Sequence, residues 1–336
     1  MKKILIVGPS WIGDMVMAQS LFITLKNNNP HCIIDVIAPE WSISLIERMP
    51  EVNKAISLQV KHKQLALIKR YTIGQALRDE RYDHAIVIPR SYKSALIPFF
   101  ANIPIRTGYR GEMRYGILND IRHLDKSVLK QTVQRYVNLS SSSKSSSPPE
   151  TPYPKLYIRH EIRGNLLNKY KLSDKKMVIG LMPGAEYGSA KKWPYYKKLA
   201  ILLVEMDYQV WVFGSDKDEL YGAEISVQNS NIVNLCGKTE LVDVIDLISL
   251  CNTVVSNDSG LMHIAAAVDV PLVAIYGSST PDYTPPLSEK AKIHYLNLDC
   301  SPCFKRECPL QHTNCLNNIK SDVVLNSVID ENDNRT

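Results

Sequence analysis

Two doubly wound α/β domains in tandem, each on a parallel sheet, are predicted by three features of the sequence. Short, strand-like segments rich in Ile, Val and Leu alternate with helical stretches along most of the chain. The alternation is interrupted once, by the Ser/Pro-rich run from Ser140 to Pro149, and then restarts. At 336 residues, the chain also exceeds what a single core comfortably organises. The expected domains are residues 1–150 and 151–336.

Taken in order, Ile4 to Val7 is apolar at every position, as in a strand buried on both faces. Gly8 and Pro9 end it, and a helix through Met15 to Asn27 follows, stopped by Asn28-Asn29-Pro30. Strands are expected at Cys32–Ala38, Val52–Ser57, His84–Ile88 and Ile105–Tyr109. The intervening helices are Trp41–Met49, Tyr71–Arg81 and Ser91–Phe100, and Gln131–Leu139 closes the first half. The second half repeats the scheme. Strands fall at Met177–Leu181, Gln209–Phe213, Ile232–Leu235, Thr253–Val255 and Leu272–Ile275. Helices fall at Tyr195–Met206, Gly222–Asn229, Leu241–Leu250 and Leu261–Val268, with a last one from about Ser321 to Ile329. In such sheets ligands sit beyond the carboxyl ends of the strands, so the expected site is a cleft between the domains.

The composition, 45% hydrophobic and 22% charged, is that of an ordinary globular protein. The net charge of +6 is unevenly spread: residues 1–150 carry 21 Lys and Arg against 12 Asp and Glu, and the remainder 19 against 22. A basic first half suits an acidic partner, whether phosphorylated substrate, membrane surface or nucleic acid. Met1-Lys2-Lys3 and the apolar run after it are too short and too soon broken to be an export signal. No apolar run is long enough to span a bilayer. The seven cysteines are accordingly expected to be reduced, in a cytoplasmic setting.

Five constellations could carry chemistry. Gly8 to Asp14 opens the first helix without the G-x-G-x-x-G of a dinucleotide site or the Gly-Lys-Ser/Thr of a P-loop. It places the carboxylate of Asp14 where it can take a proton from a substrate hydroxyl, or simply complement the helix dipole. The stretch from Pro183 to Pro194 offers Gly184, Gly188, the hydroxyl of Ser189 and the cations Lys191 and Lys192 as an anion-holding loop. Ser256 to His263 reads as a strand end, a tight turn and a helix start. Asp258, Ser259 and Gly260 lie there beside unpartnered N–H groups, and His263 stands one turn in. Asp218 and Glu219, after another strand, could accept bonds from ribose hydroxyls, and Gly277 to Pro281 could line the same mouth.

Cys300, Cys303, Cys308 and Cys315 form C-x2-C-x4-C-x6-C, four thiols that would suit a structural Zn²⁺. The spacing is not that of paired zinc knuckles, so reduced thiols bracing an irregular loop are the favoured reading. No His/carboxylate set suggests a catalytic metal.

Together, Ile4–Asp14, Gly184–Pro194, Ser256–His263 and Gly277–Pro281 resemble the ADP-heptose:lipopolysaccharide heptosyltransferases, over almost the whole chain. The cysteine segment Cys300–Leu310 resembles the branch that adds the second heptose of the inner core. The resemblance implies a GT-B fold, with the sugar nucleotide held mainly by the second domain and the final helix packing back towards the first. It implies metal-free, inverting transfer of L-glycero-D-manno-heptose from ADP-heptose to the first heptose of a phosphorylated, Kdo2-lipid A-based acceptor. The acceptor is expected at the cytoplasmic face of the inner membrane, with the enzyme peripheral to it. By position, Asp14 matches the general base, Lys191 the phosphate-binding lysine and Lys192 its neighbour. Asp258, Ser259, Gly260, Leu261 and His263 match the donor-binding turn, Asp218 the ribose acid and Thr239 the adenine side. Asp218 departs from the longer Glu of related enzymes, and the Ser141–Pro149 run from their interdomain segment.

Other readings remain open on the residues alone: addition of the first heptose, a GT-B enzyme using another sugar nucleotide, or a sugar-nucleotide epimerase. A zinc-ribbon nucleic-acid binder is the non-enzymatic one. It is disfavoured because the basic residues do not gather around the cysteines, so no nucleic-acid partner is expected.

Overall fold

The computed structural model describes residues 1–60, 64–141, 146–227 and 229–333. The chain divides into two compact units, Met1–Pro154 and Lys155–Thr336. Part of the Ser/Pro-rich run, residues 142–145, lies outside the described residues.

In the first unit the strands are β1 (Lys3–Val7), β2 (Ile33–Pro39), β3 (Lys54–Leu58), β4 (His84–Val87), β5 (Ile105–Tyr109) and β6 (Asp120–Arg122). The helices are α1 (Ile12–Asn28), α2 (Ile43–Ile46), α3 (Leu67–Ala76), α4 (Leu96–Phe100) and α5 (Thr132–Val137). The second unit has strands β7 (Val178–Met182), β8 (Gln209–Val212), β9 (Ile232–Asn234), β10 (Thr253–Asn257), β11 (Leu272–Tyr276) and β12 (Ala291–Tyr295). Its helices are α6 (Arg163–Tyr170), α7 (Tyr196–Glu205), α8 (Glu219–Ser226), α9 (Leu241–Ile248), α10 (Gly260–Ala267), α11 (Asn314–Asn317) and α12 (Ser321–Asp333).

Each unit is one six-stranded sheet, ordered β3-β2-β1-β4-β5-β6 in the first and β12-β11-β10-β7-β8-β9 in the second. All pairings are parallel; Ile6, for example, lies beside Val36 and Ile86. All strands of a sheet therefore end on one edge. The connections reverse direction between β1 and β4, and again between β7 and β10, which leaves a crevice at the carboxyl edge of each sheet. β1 and β7 are central, and their apolar residues are buried by helices on both faces, hence the unbroken Ile/Leu/Val runs. Trp193, Tyr196 and Leu199 fill the second core with Val255 and Ile275, while Leu5, Ala85, Ile97 and Leu118 belong to the first.

Several elements differ from expectation, each for a tertiary reason. The edge strands β6 and β12 are half-buried and lack the continuous apolar signal, so only their pairing to β5 and β11 makes them strands. The helix expected at Trp41–Met49 shrinks to a 3₁₀ turn at Glu40–Ser42 and the single turn α2. α3 begins at Leu67 and stops at Ala76, ahead of Arg81, whose φ of 51° cannot continue a helix. The side chains of Val324 and Val328 on α12 enter the core of the second unit.

Candidate active site

The first unit presents Asp14 at its switch point. β1 ends at Val7, Trp11 caps the helix start, and the N–H of Met15 closes the first helical bond on the Trp11 carbonyl at 2.9 Å. Asp14 is thus in the first turn of α1, at the carboxyl edge, and half-buried. Its Oδ1 accepts a hydrogen bond from the phenol of Tyr136, on α5, at 3.0 Å. The dipole role and the base role are compatible, because both need the carboxylate ionised beside the helix end.

In the second unit the crevice lies between the loops after β7 and β10. Lys191 closes a 3₁₀ turn, Ser189–Lys191, in the first loop, and Asp258 follows β10 in the second. They meet: Lys191 Nζ lies 2.5 Å from Asp258 Oδ2, with side-chain exposures of 16% and 6%. Ser279, after β11, donates its hydroxyl to the same Oδ2. Asn257 ties the two loops together, accepting from the Trp193 N–H at 3.1 Å and donating to the Pro183 carbonyl at 2.8 Å. Lys191 also stands 5.0 Å over the ring of Tyr187.

Ser259, with extended backbone (φ −145°), caps α10, and Gly260 begins it. The side chain of Ser259 makes no capping bond, so the first-turn N–H groups remain for a ligand. His263, one turn in, is buried, and burial pushes its imidazole down to about 4. It is therefore neutral at physiological pH and contributes no cation to an anion site. The hydroxyl of Ser278 is buried and has no hydrogen-bond partner among the described residues.

The fold and this geometry can be compared with known proteins. The profile of glycosyltransferase family 9 (heptosyltransferase) matches residues 70–314. The chain belongs to glycosyltransferase family 9. It is 50% identical over 303 residues to lipopolysaccharide heptosyltransferase 2 of Salmonella typhimurium, with 87% of each chain covered. To lipopolysaccharide heptosyltransferase 2 of Escherichia coli it is 48% identical, again with 87% of each covered. The solved structure of E. coli ADP-heptose LPS heptosyltransferase II superposes with a TM-score of 0.87 at 42% identity, covering 100% of this chain and 99% of that one. The two parallel sheets are those of the GT-B architecture.

In this glycosyltransferase the other expected residues fall into distinct positions. Ser189 is exposed on the turn that carries Lys191, and Leu261 is half-buried in the first turn of α10. Lys192 points to Asp218 at 3.7 Å, away from the Lys191–Asp258 pair. Asp218 is largely occupied in capping: its Oδ2 accepts from the N–H of Ser215 at 3.1 Å and from the Ser215 hydroxyl at 2.8 Å. Its Oδ1 is the oxygen nearer Lys192, and the carboxylate is buried against Gly184. Thr239, beyond β9, is half-buried and donates to the Leu235 carbonyl at 3.4 Å.

Cys300, Cys303, Cys308 and Cys315 are free thiols lining one small cavity with Ala190, Ser278 and His312. Their segment is strapped to the Lys191 turn. The Ala190 N–H donates to the Arg306 carbonyl at 3.0 Å, the Phe304 N–H to the Ser278 carbonyl at 2.7 Å, and the Tyr187 phenol to the Phe304 carbonyl at 2.6 Å. Backbone N–H groups, that of Thr313 foremost, pull the Cys308 thiol down, while burial pushes Cys315 up. Among the described residues no three His, Cys, Asp or Glu converge as metal ligands.

Sequence reasoning missed Tyr136 beside Asp14 in the first unit, and Asn257 and Ser279 beside the Lys191 turn and Asp258 in the second. Ser279 and Asn257 sat inside motifs already singled out. Tyr136 carries no local signal, because its partner is 122 residues away.

Proposed function

We propose that the enzyme transfers L-glycero-D-manno-heptose from ADP-heptose to the first heptose of a phosphorylated lipid A-core acceptor, with inversion and without a metal. Supporting this are the names of its relatives, lipopolysaccharide heptosyltransferase 2, and above all the Lys191–Asp258 pair at the head of α10. That pair holds a lysine ready beside free helix-end N–H groups, the combination that receives a diphosphate.

In the proposed step, the acceptor hydroxyl attacks the anomeric carbon of the donor and forms the new C–O bond. Asp14 takes the hydroxyl proton. The bond from the anomeric carbon to the phosphate oxygen breaks, and ADP leaves with the electron pair. Lys191 and the amides at Ser259 and Gly260 neutralise the charge developing on that oxygen, the task a metal performs in other transferases. Lys191 exchanges its partner Asp258 for the phosphate, which leaves Ser279 as donor to Asp258. Asp218 and Thr239 are assigned to the ribose and adenine, and Ser189, Lys192, Leu261 and His263 to the walls of the donor pocket.

Among the described residues no helix is long and apolar enough to cross a membrane. We place the enzyme peripherally at the cytoplasmic face of the inner membrane, where its lipid-anchored acceptor is exposed. The deciding experiment incubates the protein and ADP-heptose with core acceptors carrying no heptose or one. Extension of the one-heptose acceptor is expected. Extension of the heptose-free acceptor alone would reassign it to the first addition, and no transfer from ADP-heptose to either would reject the reading.

A further inference from the structure

The outward face of α3 is apolar where a helix covering a parallel sheet is ordinarily polar. Ile68 is 83% exposed, and Leu65, Leu67 and Tyr71 are each 48–50% exposed. The opposite face of α3 is already committed: Arg70 and Gly74 are buried. At Gly74 an added Cβ would fall 2.5 Å from Phe100 Cβ and 3.0 Å from the Ile97 carbonyl oxygen, so α3 lies hard against α4. Tyr71 and Phe99 both meet Phe100 edge-on, at 5.3 and 5.6 Å, which joins the exposed side chains of the two helices into one patch.

Cations stand beside this patch. Lys69 is exposed on α3 itself, and Lys93 reaches the Gln64 carbonyl at 3.4 Å. The guanidinium of Arg106 stands 5.6 Å over the ring of Phe99. Leu65 and Leu67 lie in and just after the connection leaving β3, on the carboxyl edge from which Asp14 also emerges.

We propose that this α3–α4 face is where the enzyme lies on an anionic bilayer, with Leu67, Ile68 and Tyr71 entering the headgroup–acyl boundary and Lys69 and Lys93 meeting lipid phosphates. A protein partner would call for mixed polar complementarity. Aliphatic and aromatic tips beside the cations Lys69, Lys93 and Arg106 match a lipid interface instead. The proposal rests on the reading of the acceptor as lipid-anchored. It adds the surface that brings the carboxyl edge of the first sheet to the leaflet holding that acceptor.

The test uses the full chain and sedimentation with vesicles of phosphatidylcholine alone or with one third phosphatidylglycerol. Wild-type protein should bind the anionic vesicles, less so as salt rises. Ile68→Glu should lower the partition coefficient about tenfold or more, and Lys69→Ala about fivefold. Transfer to a deacylated, water-soluble acceptor should be unchanged in Ile68→Glu, which also shows the variant is folded. The proposal is overturned if wild-type protein ignores anionic vesicles or if Ile68→Glu binds them equally. It is also overturned if this face is instead covered by a second copy, seen as a dimer that Ile68→Glu dissociates. Vesicle binding without heptose transfer to any acceptor would leave the surface standing and remove the reading of function.

Discussion

The phenol of Tyr136 donates to Oδ1 of Asp14 at 3.0 Å, so the proposed base is oriented by a helix that enters the unit 122 residues later. Removing this hydroxyl should misplace the carboxylate without unfolding the protein. Tyr136→Phe is expected to lower kcat about tenfold, the scale of a positioning bond, and to leave KM for ADP-heptose unchanged. A changed KM with constant kcat would place Tyr136 in donor binding instead.

Asp14→Asn keeps the shape and loses the proton acceptor. Turnover should fall by about 10²- to 10⁴-fold, while the melting temperature and the affinity for ADP-heptose, measured by calorimetry, stay near wild type. Retained turnover would remove Asp14 as the base.

The Lys191–Asp258 pair is nearly out of solvent, so cutting one partner leaves a buried charge. Lys191→Met should raise KM for ADP-heptose and cost about 1–3 kcal/mol in denaturant unfolding. Lys191→Met combined with Asp258→Asn should recover part of that stability and none of the affinity. Additive losses of stability would argue that the two side chains are uncoupled.

Burial depresses His263 to about 4, against an ordinary value near 6.5. Between these values the unfolded chain binds a proton that the folded one refuses, so stability falls as pH drops from about 6.5 towards 4. The loss attributable to His263 is of order 2–3 kcal/mol across the window. It should be visible in guanidinium melts at pH 7 and pH 5, and blunted in His263→Gln. An unchanged pH slope in that variant would exclude the histidine as its source.

Gly188 has φ +153°, and a Cβ there would lie 2.3 Å from the Arg306 carbonyl oxygen. Gly188→Ala must therefore push the cysteine segment off the Lys191 turn. The expected outcome is a several-fold rise in KM for ADP-heptose with little change in kcat, read in steady-state kinetics.

Much of this protein was legible locally. Mostly apolar runs marked β1, β2, β4, β7, β10 and β11, because strands buried on both faces are rich in Ile, Val and Leu. Asp14, Lys191 and the Asp258–His263 turn could be named because strand-end loops are where parallel sheets hold ligands. The short edge strands β6 and β12 could not, since half-buried residues carry no periodic signal and become strands only beside a partner. Nor could the divided fate of the two lysines, Lys191 to Asp258 and Lys192 to Asp218, which depends on which crevice each side chain reaches.

What the sequence alone determined is the α/β architecture and the inventory of groups at the carboxyl edges, because both follow from hydrophobic period and loop chemistry within a few residues of each other. Only the tertiary structure decided the pairings. Tyr136 on Asp14, Ser279 on Asp258, the capping of Asp218 by Ser215, and the exposed apolar face of α3 against α4 all depend on packing. A hydrogen bond or a contact is set by distance in space, and a chain that returns to its starting sheet after a hundred residues leaves no trace of that distance in its local pattern.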